Sequence, residues 1–297
     1  MLICTTPAEM HAACCSLRAQ ARASSAAGPT LGLVPTMGAL HQGHLSLVAA
    51  ARAQCDLVAA SIFVNPTQFG PNEDFSKYPR TFDADCAQLE SAGVDLLFAP
   101  SADTMYPLGN ATFVDPGPIA DRLDGASRPG HFRGVATIVT RLFSIIQPDC
   151  AFFGQKDAAQ VAVLRQITRD LNLPVELVIC PTVREADNLA ISSRNRYLSA
   201  AERLRARVLY RALAAARNLA ASGETRADAL RAAMLDTFTA PDPSPEARDI
   251  PAHIDYAAVV DPDTLLPLTD TAQGALLAIA AFIGATRLID NLLLPPR

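Results

Sequence analysis

The run PTMGALHQGH, residues 35–44, sets two of the chain's five histidines three apart behind a glycine turn. At a helix start that spacing puts His41 and His44 on one face. A helix N-terminus supplies unpaired N–H groups and a partial positive charge. Gly38 and Gly43 let the backbone come close to a ligand. Such a place suits a phosphate chain. Imidazoles beside it donate hydrogen bonds to phosphate oxygens and carry charge near neutral pH. The same spacing suits two ordinary histidines, one of them capping the helix, and spacing alone leaves both readings open. A zinc pair fits less well. The seven cysteines (4, 14, 15, 55, 86, 150 and 180) form no CxxC pair, and a metalloprotease pair stands four apart with a glutamate beside it.

The elements around this turn must position it. LGLV at 31–34 reads as a buried strand, 44–55 as a helix rich in Ala and Leu, and VAASIFV at 58–64 as a second buried strand. Together they make a βαβ unit, the builder of parallel sheets. The alternation continues with a helix at 81–92, a strand at 94–98, a helix striped by Val135, Ile138, Val139, Leu142, Phe143 and Ile146, a strand at 151–153, a helix at 158–171 and a strand at 175–180. This is the pattern of a doubly wound, Rossmann-like α/β domain. The character changes near residue 184. A capping-box spacing, Ser199 to Glu202, opens one long helix to about 222, a second helix covers 226–238, and strands are expected at 254–260 and 276–283. The expected organisation is a Rossmann-like domain over 1–183 and a smaller C-terminal α+β domain over 184–297.

The bounds agree. At 297 residues and 50% hydrophobic the chain can bury a sizeable core. A net charge of −5 gives no electrostatic reason for nucleic-acid binding. The longest apolar run, 275–285, is too short to span a bilayer. The N-terminus lacks a signal-peptide pattern, and an odd cysteine count reads as reduced thiols in a cytoplasmic protein.

PTMGALHQGH resembles the HxGH signature of the nucleotidyltransferase superfamily. SIFVNPTQFG (61–70), YPRTFDAD (78–85), RPGHFRGVATIV (128–139), FGQKDAAQ (153–160) and PTVREADNLAISSRNRYLS (181–199) narrow it to the pantothenate synthetases, with a further match at TRLIDN (286–291). The resemblance implies a ligase that condenses pantoate with β-alanine, consumes ATP through a pantoyl adenylate, and releases AMP and pyrophosphate. A nucleotidyltransferase acting on a phosphorylated acceptor and a silent nucleotide-sensing module are the competing classes. The transferase should show a basic acceptor pocket where this chain has Gln68 and Gln160. The silent module would be favoured by loss of His44 or Lys156, and both are present.

The resemblance also implies roles. A carboxylate is already ionised at neutral pH, so the first step needs alignment and charge neutralisation rather than a base. His41, His44, Lys156, Ser192, Ser193 and Arg194 are the candidate catalytic donors. Met37, Gly38, Ala39, Leu40, Gln42 and Gly43 join the histidines along the ATP. Gly154, Gln155, Asp157, Val183 and Ile191 belong to the same site, with adenine near Gly154 and Val183. Gln68 and Gln160 suit the pantoate hydroxyls and Met37 its methyls. Asn65, Arg128 and His131 are further substrate candidates. Magnesium is expected to arrive with ATP, with Asp83 and Asp85 as candidate ligands. Ala84 stands where some relatives have a third acid, which argues against a dedicated protein cage. In the second step β-alanine's amine attacks the acyl carbon, and His44 serves either as acid/base or as a purely electrostatic group. The family pattern is a homodimer.

Overall fold

The computed structural model describes residues 1–21, 28–71, 73 and 75–297. In chain order its elements are β1 (Leu2–Cys4), α1 (Pro7–Ala21), β2 (Leu31–Thr36), α2 (Gln42–Gln54), β3 (Leu57–Ile62), α3 (Phe82–Ser91), β4 (Leu96–Phe98), α4 (Ala102–Met105), α5 (Asp124–Ser127), α6 (His131–Ile146), β5 (Cys150–Gly154), α7 (Ala158–Asp170), β6 (Glu176–Cys180), α8 (Ala200–Ala206), α9 (Val208–Ala221), α10 (Ala227–Thr239), β7 (Ala252–Val260), β8 (Ala275–Ile283) and β9 (Thr286–Leu294).

Six strands form a parallel sheet in the order β1-β4-β3-β2-β5-β6, with Gly32 of β2 opposite both Val58 and Cys150. The inner strands are short apolar runs because helices cover both faces. Val34, Val48, Val58, Leu97 and Phe152 share one buried cluster. The strand order reverses between β2 and β5, and in such sheets ligands bind beyond the carboxyl ends of the strands at that reversal. β2 runs there into the histidine turn. Gln147 caps the end of α6 with a left-handed φ of 51° just before Pro148. The second sheet is antiparallel, β7-β8-β9, with central β8 buried almost throughout. Helices α9 and α10 pack on it, and Leu209, Leu213, Leu230, Met234, Leu277 and Ile279 belong to its core. The expected α/β sheet with a smaller α+β domain is therefore the observed fold class.

Two compact units can be described separately. The first comprises Met1–Ala120, Arg128–Gly154 and Val163–Pro181; the second comprises Asp121–Ser127, Gln155–Ala162 and Thr182–Arg297.

The details differ from expectation in three places. The helix expected to run unbroken from Ser199 is interrupted at Arg207, where Arg205, Arg207 and Arg211 all reach the 242–244 loop. Strand β9 extends through TRLIDNLLL as a full partner of β8. The N-terminal β1 and α1 are additional elements, β1 pairing with β4. All seven cysteines are free, and burial pushes the Cys14 and Cys55 thiols up to about 12, so both are packing groups rather than nucleophiles. Among the described residues, no helix is long and apolar enough to cross a membrane.

Candidate functional site

In the first unit the chain leaves β2 through a turn with left-handed backbone at Gly38 (φ 78°) and Ala39 (φ 51°). That conformation is costly for a non-glycine residue, and buried Asp85 compensates. Its two carboxylate oxygens accept the N–H groups of Ala39 at 2.9 Å and Leu40 at 2.8 Å, and Thr81 Oγ1 donates to it at 3.0 Å. Thr36 Oγ1 accepts the Gly38 N–H at 3.1 Å. The turn delivers His41 as the extended N-cap of α2 (φ −144°). The His41 amide donates to His44 Nδ1 at 3.3 Å, and the two rings stack with centroids 4.0 Å apart. With Nδ1 accepting, a neutral His44 carries its proton on Nε2, as a donor. Gly43 packs close to the His41 ring: a Cβ there would stand 3.0 Å from it, so the ring would have to give way by a few tenths of an ångström. Half-buried Met37 lines a cavity of about 340 Å³ with Phe63, Phe75, Arg80 and Phe82. Gln42 is exposed.

A second cluster in this unit centres on Gln68. Buried Asn65 donates to Gln68 Oε1 at 2.9 Å and to the Gly134 carbonyl at 3.1 Å, and its own Oδ1 accepts from Tyr106 Oη at 2.8 Å. The Asn65–Gln68 bond fixes which end of the Gln68 amide presents N–H donors. His131 Nδ1 donates to the Gln68 carbonyl at 2.8 Å, and Arg128 Nη1 donates to His131 Nε2 at 3.0 Å. Arg128 also forks onto Glu73, at 2.6 and 2.8 Å. Asn65, Arg128 and His131 thus gather around Gln68 and hold it. Tyr106, Glu73 and Gly134 complete this cluster and escape the sequence reading. Gly134 alone leaves a signal, a glycine inside a helix; a Cβ there would fall on the Thr67 carbonyl.

In the second unit Gln155, Lys156 and Asp157 form a 3₁₀ turn that leads into α7, whose third residue is Gln160. Lys156 Nζ lies 3.5 Å from Asp157 Oδ1. The Asn291 amide donates to the carbonyls of Gln155 at 3.0 Å and Lys156 at 2.8 Å, and it accepts from Gln155 Nε2 at 3.1 Å. Residues 183–191 form a small hairpin closed by Ile191 N–H on the Val183 carbonyl at 3.0 Å. Ser192 follows as a cap, its Oγ accepting the Arg194 N–H at 3.3 Å, and Ser193 opens the 3₁₀ helix Ser193–Tyr197. Arg184 anchors the hairpin on Asp290 with two bonds, 2.7 and 2.8 Å. Gly154, the last residue of β5, belongs to the first unit.

The metal candidates do not fit a resident ion. Asp85 commits both oxygens to the turn, and Asp83 stands exposed on the first turn of α3. Among the described residues, no three His, Cys, Asp or Glu side chains gather as a metal site.

Residues 3–293 match the family model described as pantoate-beta-alanine ligase. A pantothenate synthetase of Acidobacterium capsulatum is 58% identical over 265 residues, covering 89% of this chain and 86% of the relative. One from Koribacter versatilis is 54% identical over 294 residues, 99% and 96% of the two chains. Among solved structures, a pantothenate synthetase from Thermus thermophilus superposes with a TM-score of 0.87 at 47% identity over the whole of both chains. A pantoate-beta-alanine ligase from Francisella tularensis, complexed with beta-gamma ATP and beta-alanine, gives a TM-score of 0.73 at 33% identity over 99% and 97% of the chains.

Proposed function

The chain belongs to the pantoate–β-alanine ligase family, whose reaction condenses pantoate with β-alanine at the expense of ATP, and on that premise we propose how its residues divide the work. The observation that carries the reading is the stacked His41–His44 pair at the start of α2, held on a turn whose backbone Asp85 locks. Both imidazoles donate to phosphate oxygens of ATP, with the α2 N-terminus adding its partial positive charge. Lys156 and Arg194 neutralise charge that builds as pyrophosphate leaves, and the Ser192 and Ser193 hydroxyls orient the phosphates. The pantoate carboxylate attacks the α-phosphorus without a general base, because it is already ionised.

Gln68 and Gln160 take the pantoate hydroxyls, and Met37 packs on the gem-dimethyl group. Asn65, Arg128 and His131 support this by aiming Gln68. In the second step the β-alanine amine attacks the acyl carbon and AMP departs; His44 takes up or steadies the proton released. Magnesium enters as the counter-ion of ATP and is part of the substrate. A cytoplasmic homodimer is the corresponding assembly, and sedimentation of the purified protein tests the dimer.

The deciding experiment is pyrophosphate release from ATP. It should require pantoate, and adding β-alanine should yield AMP and pantothenate. Release with a phosphorylated acceptor and none with pantoate would instead indicate a nucleotidyltransferase.

A further inference from the structure

We propose that Asp290 and Asn291, neighbours on β9, are positioning residues for adenylate formation: Asn291 holds the backbone that carries Lys156, and Asp290 holds the hairpin that leads into Ser192–Arg194. The inference rests on the roles given above to Lys156 and the serine–arginine loop.

Side chains at adjacent strand positions point to opposite faces, so this pair reaches two different segments from one short piece of backbone. Both residues are only 3% exposed. Polar groups that deep have to be matched, and a strand reading LIDNLLL would bury aliphatic residues at those positions if sheet stability were the only demand. The matching is complete for Asn291. Its two amide hydrogens go to two consecutive carbonyls, Gln155 and Lys156, and its oxygen accepts from the Gln155 side chain. Holding successive carbonyls fixes the two peptide planes that flank the Lys156 Cα, and with them the direction in which the Lys156 side chain departs.

Asp290 is matched as fully. It receives both ends of the Arg184 fork and the Asn291 N–H at 2.8 Å. Arg184 in turn donates to the Asn188 carbonyl at 3.1 Å and lies over the Tyr210 ring at 4.6 Å. Asn188 is the left-handed residue of the hairpin, φ 69°, so the guanidinium braces its most constrained point. A cavity of about 10 Å³ lies against Lys156, Asp290 and Asn291, room for about one water at most. β9 acts as a common ruler for two cationic groups that have to meet one triphosphate within a fraction of an ångström, where a misplacement of about 1 Å costs roughly 100-fold in rate.

The test uses the full chain and pantoate-dependent pyrophosphate release, with folding followed by circular dichroism. Asn291→Ala should lower kcat per folded molecule about 100-fold and leave the KM for pantoate within about twofold. Asp290→Asn keeps the side-chain shape but removes the charge and turns one accepting oxygen into a donor NH2 that cannot receive the Arg184 fork; it should lower kcat about tenfold, and Asp290→Glu should restore part of it. A purely structural pair would lower the melting temperature and leave kcat per folded molecule unchanged, and that result overturns the inference. If Asn291→Ala fails to fold, the two Asp290 variants decide. Lys156→Ala is the control that separates the claims. Loss of turnover there beside near wild-type Asn291→Ala sinks the β9 pair alone, whereas near wild-type turnover in Lys156→Ala sinks both readings.

Discussion

The histidine turn is locked by one carboxylate from a helix about 45 residues away, which accepts directly from backbone N–H groups, whereas the Lys156 turn and the 183–191 hairpin are locked by side chains more than a hundred residues away. In the first region the demand is conformational. A left-handed Ala39 costs about 1–2 kcal/mol, and two hydrogen bonds to the Asp85 carboxylate, each about 1.5–3 kcal/mol, outweigh it. In the second the backbone is ordinary at Lys156, and the demand is for a fixed frame. Strain can be offset locally; distance between segments has to be set by something that touches both.

Substitutions that break this comparison can be ordered by their expected effect on turnover. His44→Ala and Lys156→Ala each remove a donor assigned above to charge stabilisation, and each should cost about 10²–10³-fold in pyrophosphate release while the protein stays folded by circular dichroism. Near wild-type rates in both would refute the assigned roles. Gly134→Ala pushes a methyl into the Thr67 carbonyl and should displace the Gln68 turn. A KM for pantoate raised about tenfold is expected, the equivalent of about 1.4 kcal/mol, with the KM for ATP little changed. An effect on ATP instead would disconnect Gln68 from pantoate. Asp85→Asn leaves one backbone N–H without its carboxylate and should lower stability by about 1–3 kcal/mol, with a several-fold loss in kcat; thermal unfolding and steady-state rates measure both.

The smallest effect on turnover belongs to Asp242, which has no part in the roles assigned above. Burial pushes its carboxyl up, but the Ser244 amide and the Arg211 and Arg205 guanidiniums outweigh that and leave it below the usual carboxylate value. Its contribution is therefore present above about pH 3.9, the unfolded value, and is lost as the pH falls through the lower folded value. Asp242→Asn should flatten the acid-side fall in melting temperature and leave kcat near wild type. An unchanged acid slope would show that other carboxylates govern it.

Legibility follows the same divide. Ten consecutive residues, 35–44, announce the histidine turn because its glycines, histidines and flanking strand are contiguous. The parallel sheet is equally readable, since each inner strand is an unbroken apolar run. Asp85 is visible as a nearby acid, but its commitment to the Ala39 and Leu40 amides depends on how α3 packs, which no local pattern encodes. Arg128 and His131 stand out in RPGH, yet the target of their polar atoms, the Gln68 carbonyl, lies some 60 residues earlier. Strand β9 interrupts its apolar alternation with Asp290 and Asn291, so its pairing and its two tethers emerge only in three dimensions. The break at Arg207 has no sequence signal because alanine and arginine favour helix on both sides.

The order of synthesis gives β9 one more consequence. The segments around Asp124, Lys156 and Arg184 leave the ribosome well before the strand that fastens them: Arg287 pairs with Asp124, Asp290 with Arg184, and Asn291 with the Lys156 turn. The parallel sheet can assemble while these stretches still wait for partners. A nascent chain halted before residue 286 would thus hold an ordered histidine turn and no anchored lysine, so competence should arrive late and all at once rather than growing with chain length.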